Sequence, residues 1–98
     1  MTKRAPIHPG EILRVEFLDE LNLSAYALAK ALRVPANRIT GIINGERAVT
    51  ADTALRLAQY FDTTPEFWLN LQTHYDLTVT RRQTAREIER EVPRMRIA

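Results

Sequence analysis

The chain has 98 residues and not one cysteine, and it holds only two histidines, three glycines and one tryptophan. Without thiols there can be neither a disulfide scaffold nor a thiolate metal site. His8 and His74 stand 66 positions apart with no partner at ligand spacing, so no metal ion and no cofactor are expected. No glycine-rich phosphate loop and no nucleophile motif are present. Glu11, Glu16 and Glu66 do not pair at a spacing that implies acid and base roles, so an enzyme is not expected. Uncharged runs fall far short of the roughly 18 apolar residues of a membrane span, and Lys3 and Arg4 precede no apolar signal-peptide core. The expectation is a cytoplasmic protein with no membrane partner. Sustained period-2 alternation of β-branched residues is also missing, which argues against a sheet.

What is present is helical punctuation from end to end, and 45% apolar residues, enough for one core in one compact domain. Residues 11–21 predict a first helix, with Leu13, Phe17 and Leu21 on one stripe, Pro9 near the first turn and His8 helping to cap it. Ser24 is a good N-cap for a helix through Leu32 with Leu28, Ala29 and Leu32 inward. Pro35 opens a third helix that carries Ile39, Ile42 and Ile43 and stops at Asn44-Gly45. Thr50 caps a fourth over residues 51–61, where Ala54, Leu57, Ala58 and Phe61 match the i, i+3, i+4, i+7 template. Thr64 and Pro65 start a fifth, with Trp68, Leu71 and Tyr75 inward. After a stretch rich in β-branched residues at 77–80, Ala85, Ile88 and Val92 allow a sixth helix over residues 81–92, ended by Pro93. The expected architecture is all-α: a five-helix domain over residues 1–80 and a basic C-terminal helix or tail over 81–98.

A net charge of +2 says little by itself, but its distribution is uneven. Residues 23–47 carry four basic groups against one acidic, and residues 81–98 carry six against three. Residues 1–22 and 48–80 are net acidic. Such segregation suits an anionic partner at one face, and equally suits ordinary solvated helix faces.

The informative segment is residues 24–45, S-A-Y-A-L-A-K-A-L-R-V-P-A-N-R-I-T-G-I-I-N-G. Two short helices joined by a tight turn pack closely when a small residue sits at their crossing, and Ala29 occupies that place five residues before Val34. Opposite the apolar face of the second helix stand Ala36, Asn37, Arg38, Thr40, Gly41 and Asn44, small or hydrogen-bonding residues of the kind a helix needs to enter a major groove. A polar face of this kind also describes a merely solvated helix. The segment coincides with the most basic internal stretch, where Lys30, Arg33, Arg38 and Arg47 would meet phosphates.

These residues resemble the Cro/repressor-type (XRE) helix-turn-helix family, and within it the HigA-type antitoxins of bacterial toxin-antitoxin modules. The strings that carry the resemblance are His8-Pro9-Gly10-Glu11 with Leu13 and Phe17, Leu28-Ala29-Lys30-Ala31-Leu32, Ile39 through Asn44-Gly45, the run from Thr50 to Ala58, and the run from Pro65 to Gln72; together they cover roughly residues 7–77. The resemblance implies a homodimeric repressor of its own operon, bound to double-stranded operator DNA and nucleoid-associated when so bound. It also implies an antitoxin that neutralises a RelE-like, HigB-type ribonuclease toxin. A stand-alone repressor of the same fold, with no toxin partner, is the alternative. The family's base-reading positions fall on Ala36, Asn37, Arg38, Thr40 and Gly41; Asn44 falls at a phosphate-contacting place, beside the cations Lys30, Arg33 and Arg47. Two positions depart from the pattern. Ala25 replaces a common phosphate-binding Gln, and Arg33 replaces a turn Gly whose backbone favours positive φ; a left-handed arginine costs roughly 1 kcal/mol relative to glycine, so either the turn differs or the penalty is accepted for an added phosphate contact.

Trp68 reads as core or protein interface rather than as the wall of a ligand pocket, given its helical spacing with Leu71 and Tyr75. The segment 81–98 interleaves Arg81, Arg82, Arg86, Arg90, Arg94 and Arg96 with Glu87, Glu89 and Glu91. A solvated helix with short-range ion pairs, an extension of a dimer seam, or a contact to DNA phosphates all fit that pattern. A basic toxin would match the acidic stretch 48–80 better than this tail.

Overall fold

The computed structural model describes residues 5–96. Residues 1–4 and 97–98, at the outer ends of the two expected domains, lie outside the described residues. Five helices and their connections account for the described chain, with no strand among them.

Helix α1 spans residues 9–21 and is irregular. An α-helical start, Pro9–Ile12, passes into a π-helical stretch, Leu13–Leu18, and returns to α geometry over Asp19–Leu21. His8 caps it as expected: its Nδ1 accepts from the Gly10 amide at 2.9 Å. The π turn changes which residues face inward. A π turn holds one residue more than an α turn, so Leu13 and Leu18, five apart, are the buried pair (0% and 4% exposed). Leu21, expected on the inner stripe, is 59% exposed. Phe17 stays partly buried, its ring 4.8 Å from Phe61 and 5.0 Å from Trp68.

Helix α2 (Ala25–Leu32) starts at Ser24, whose hydroxyl accepts from the Ala27 amide, and α3 (Ala36–Ile43) follows a short turn. Pro35 sits one place earlier than expected, as the extended residue before α3 rather than inside it. Helix α4 (Ala51–Phe61) is capped by Thr50, which accepts from the Thr53 amide. Three of these helices end alike. Asn22, Arg33 and Asp62 adopt left-handed conformations (φ 51°, 58° and 57°), and the amides of Leu23, Val34 and Thr63 reach back to the carbonyls of Leu18, Ala29 and Ala58. This is the six-to-one Schellman closure, made here without glycine.

Helix α5 (Pro65–Glu91) corrects the expected sixth helix: residues 81–91 continue the fifth without a break, and the boundary expected after residue 80 falls inside it. No proline or glycine lies between Pro65 and Pro93 to interrupt the ladder. The hydroxyls of Thr78 and Thr84 donate to the carbonyls of His74 and Thr80, at 2.8 and 2.9 Å, so both are satisfied on the helix itself. At about 1.5 Å per residue, the helix spans roughly 40 Å.

The core gathers Leu13, Leu18, Leu28, Leu32, Ile39, Ile42, Leu57 and Trp68 from all five helices, together with Val49 from the loop before α4. Trp68 is fully buried and donates its Nε1–H to Thr63 Oγ1 at 2.9 Å, so it is core. Among the described residues, no helix is long and apolar enough to cross a membrane, and no group of three or more His, Cys, Asp or Glu is placed to hold a metal ion.

Candidate nucleic-acid interface

The α2-turn-α3 unit is held by its apolar side. Ala29 is 2% exposed at the crossing, Ile39 and Ile42 are fully buried, and Val34 packs against the same cluster from the turn. Arg33 occupies the position of positive φ, so the turn keeps its usual shape and the chain accepts the left-handed arginine. Loss of the amide-to-carbonyl ladder at the end of α2 is made good by the Arg33 and Val34 amides, which donate to Lys30 and Ala29.

With the inner side fixed, the outer face of α3 and its C-cap present Asn37 and Asn44 exposed, and Ala36, Arg38 and Thr40 half-buried. Lys30, Arg33 and Arg47 are exposed around it. Among the described residues, the side chains of these three cations make no hydrogen bond or ion pair. Such cations are available to a polyanion at no cost in broken contacts. Gly41 differs from expectation: it is buried, because the Arg47 side chain lies over it. A Cβ at Gly41 would come within 2.8 Å of Arg47 Cδ, so its missing side chain makes room for the arginine stem rather than for a direct approach of its own backbone to a groove. The Gly41 carbonyl also accepts from the amides of Glu46 and Arg47, at 2.8 and 3.1 Å, which closes the turn that brings Arg47 back over α3.

Two residues not singled out in the sequence complete the arrangement. Asp52, in the first turn of α4, accepts from Arg38 Nη1 at 2.8 Å and from Arg56 Nε at 3.0 Å, both through Oδ2. Arg56 in turn donates through Nη1 to the carbonyl of Leu32, the last residue of α2, at 2.8 Å. The hydrogen bond from Arg56 holds the Asp52 carboxyl below its ordinary range; desolvation opposes it, and the charge of Arg56 and the bond and charge of Arg38 add to the lowering. The Asp52–Arg56 pair has the i, i+4 spacing that a sequence can reveal. The Arg38 link crosses 14 positions and has no local signal.

The loop that carries Arg47 is pinned from behind. Gln72 of α5, 7% exposed, accepts from the Val49 amide at 2.7 Å and donates to Asp76 at 2.9 Å. The His8 ring meets the Arg47 backbone and packs edge-on against Tyr75 with centroids 4.9 Å apart. Desolvation lowers the His8 pKa from its ordinary value, only partly opposed by the negative charge of Asp76 and the hydrogen bond to the Arg47 backbone. A neutral imidazole is also what its acceptance from the Gly10 amide requires.

A buried helix crossing, an outward polar helix and unpaired cations around it define a helix-turn-helix protein. A family model for the helix-turn-helix matches residues 16–68. Virulence-associated protein I of Dichelobacter nodosus is 59% identical over 71 residues, 72% of this chain and 66% of that protein. Antitoxin HigA-1 of Vibrio cholerae is 44% identical over 86 residues, 88% of this chain and 81% of that one. The Pseudomonas aeruginosa antitoxin HigA, solved with the higBA promoter, superposes with a TM-score of 0.89 at 46% identity, covering 93% of this chain and 99% of its own. The chain belongs to this helix-turn-helix family, among the homologues of the HigA antitoxins.

Proposed function

We propose that the chain is an antitoxin that represses its own operon, binding operator DNA as a homodimer with α3 of each copy in the major groove. The observation that carries this reading is the outer face of α3, where Asn37, Arg38 and Thr40 are flanked by the exposed, unpaired Lys30, Arg33 and Arg47. In this assignment Asn37, Arg38 and Thr40 read bases, with Ala36 leaving room for close approach; Asn44, Lys30, Arg33 and Arg47 meet phosphates. Gly41 contributes indirectly, by seating Arg47. A two-fold dimer places its half-sites about 34 to 36 Å apart, one turn of DNA, and calls for a pseudo-palindrome. Support for self-association comes from Leu77 and Ile88 of α5 and Val92 just beyond its end, exposed at 46%, 50% and 61%. The toxin partner is a RelE-like ribonuclease of the HigB type, and the family relationship is what supports it.

The test is co-purification of the tagged chain with the product of its neighbouring reading frame, a growth assay of that neighbour expressed alone, and gel-shift of the DNA upstream of the pair. A stable complex, growth arrest relieved by this chain and a retarded band are the expected results. A retarded band with neither complex nor arrest would leave a stand-alone repressor.

A further inference from the structure

Asp52 is an anomaly on a surface that meets a polyanion. Its side chain is 57% exposed, and it borders the same groove as Arg38, Arg47 and Thr50. A carboxylate there repels phosphate, so it works against affinity. Its service to the fold is modest, because exposed ion pairs contribute little to stability, a first-turn carboxylate adds only a small favourable interaction with the helix dipole, and the helix is already capped by Thr50. What it does is geometric. One oxygen holds Arg38, on the outer face of α3, and Arg56, which is itself tied to the end of α2, so the two helices of the motif and α4 converge on a single carboxylate.

We propose that Asp52 is a specificity-determining positioning residue: it holds the Arg38 guanidinium in the orientation that meets a base edge, with Arg56 anchoring it to α2. The inference rests on the reading of Arg38 as a base contact. An arginine free to rotate loses side-chain freedom when it docks, whereas one already held loses little. The guanidinium has five N–H donors in a fixed plane, and only Nη1 is committed to Asp52, which leaves donors for the paired acceptors of a guanine edge. Two arginines on one carboxylate keep the cluster net positive, and the lowered pKa of Asp52 keeps it ionised throughout the neutral range. Discrimination arises because a correctly placed base gains the full arginine contact, while a wrong one meets an arginine that cannot swing to a phosphate.

The test is a binding series with the full chain and its D52N, R56Q, R38A and R38A/D52N variants, all checked for folding by thermal melts. The probes are a duplex selected by the unmodified protein from a random pool and a scrambled duplex of the same composition. Expected for D52N is a loss of about tenfold on the selected duplex, with affinity for the scrambled one unchanged or raised, because the amide removes a repulsive charge without restoring selectivity. The double variant should bind the selected duplex no more weakly than R38A, and R56Q should show a smaller loss of the same kind, which keeps the idea testable even if D52N misfolds. Equal losses on both duplexes, tighter binding of the selected duplex by D52N, or losses of R38A and D52N that simply add would overturn the proposal while leaving the base contact intact. Should R38A itself lose equally on both duplexes, the base contact fails and the role of Asp52 goes with it.

Discussion

Gly10 and the carbonyl of Ile42 mark where α1 and α3 touch backbone to backbone: a Cβ at Gly10 would lie 1.8 Å from that oxygen and 2.9 Å from the Cα of Ile43. No rotamer can relieve an overlap with main-chain atoms. Replacing Gly10 by Ala gains up to about 1 kcal/mol of helix propensity, but the forced separation of the helices outweighs it. A net loss of about 3 kcal/mol or more is expected for G10A, read from urea unfolding. An unchanged midpoint would show that the two helices are not held at this distance in solution.

Gln72 governs the loop that carries Arg47. Leucine at this position leaves the Val49 amide buried without a partner, at a cost of about 1 to 3 kcal/mol. Hydrogen exchange should report the change locally, with faster exchange at Val49. Slow exchange at Val49 in Q72L would mean that the amide has found another acceptor.

At Arg33 stability and binding are expected to part company. Glycine removes the penalty of a left-handed arginine, roughly 1 kcal/mol, partly offset by the entropy glycine loses on folding. R33G should therefore melt slightly higher while binding all DNA sequences more weakly, with its salt slope reduced by about one unit. Lys30→Ala and Arg47→Ala should show the same fall in salt slope. A salt slope identical to that of the unmodified protein in all three variants would remove the phosphate assignment.

How far these features could be read in advance depends on their range. Ser24, Thr50 and Thr64 each accept from an amide three residues on, a contact within one turn, and the sequence signals it directly. The exposed Asn37 followed from local spacing as well, whereas the positive φ at Arg33 was implied only by the family resemblance, which left open whether the turn kept its shape. The continuity of α5 did not, because the β-branched residues within 77–80 disfavour a helix locally, a bias that the uninterrupted ladder of a 27-residue helix overrides. Asp52 escaped for a different reason: Arg56, four residues on, is a local partner, but Arg38 lies 14 residues before it on another helix, and only the folded chain brings that pair together.

His8 predicts a specific pH dependence. Its pKa is lowered from 6.5 in the folded chain, so the folded state prefers the neutral ring. The stability this contributes is fully present above the ordinary pKa and is lost as the pH falls through the lowered folded value. Asparagine caps a helix well and does not titrate in this range, so H8N should flatten the fall in stability between about pH 7 and pH 5. An identical fall in both proteins would place the titrating group elsewhere.

The π turn of α1 holds a spare residue. Between Leu13 and Leu18 the chain is one position longer than an α-helix needs to set two side chains on the same face. Shortening it there, for instance by deleting the exposed Val15, would bring the two leucines four apart and let ordinary α geometry run through unbroken, with the inward face preserved. The same excision in the regular turns of α4 would rotate every later side chain by about 100°. Helix α1 is thus a place where length itself is negotiable, and a chain one residue shorter before α2 can still build this core.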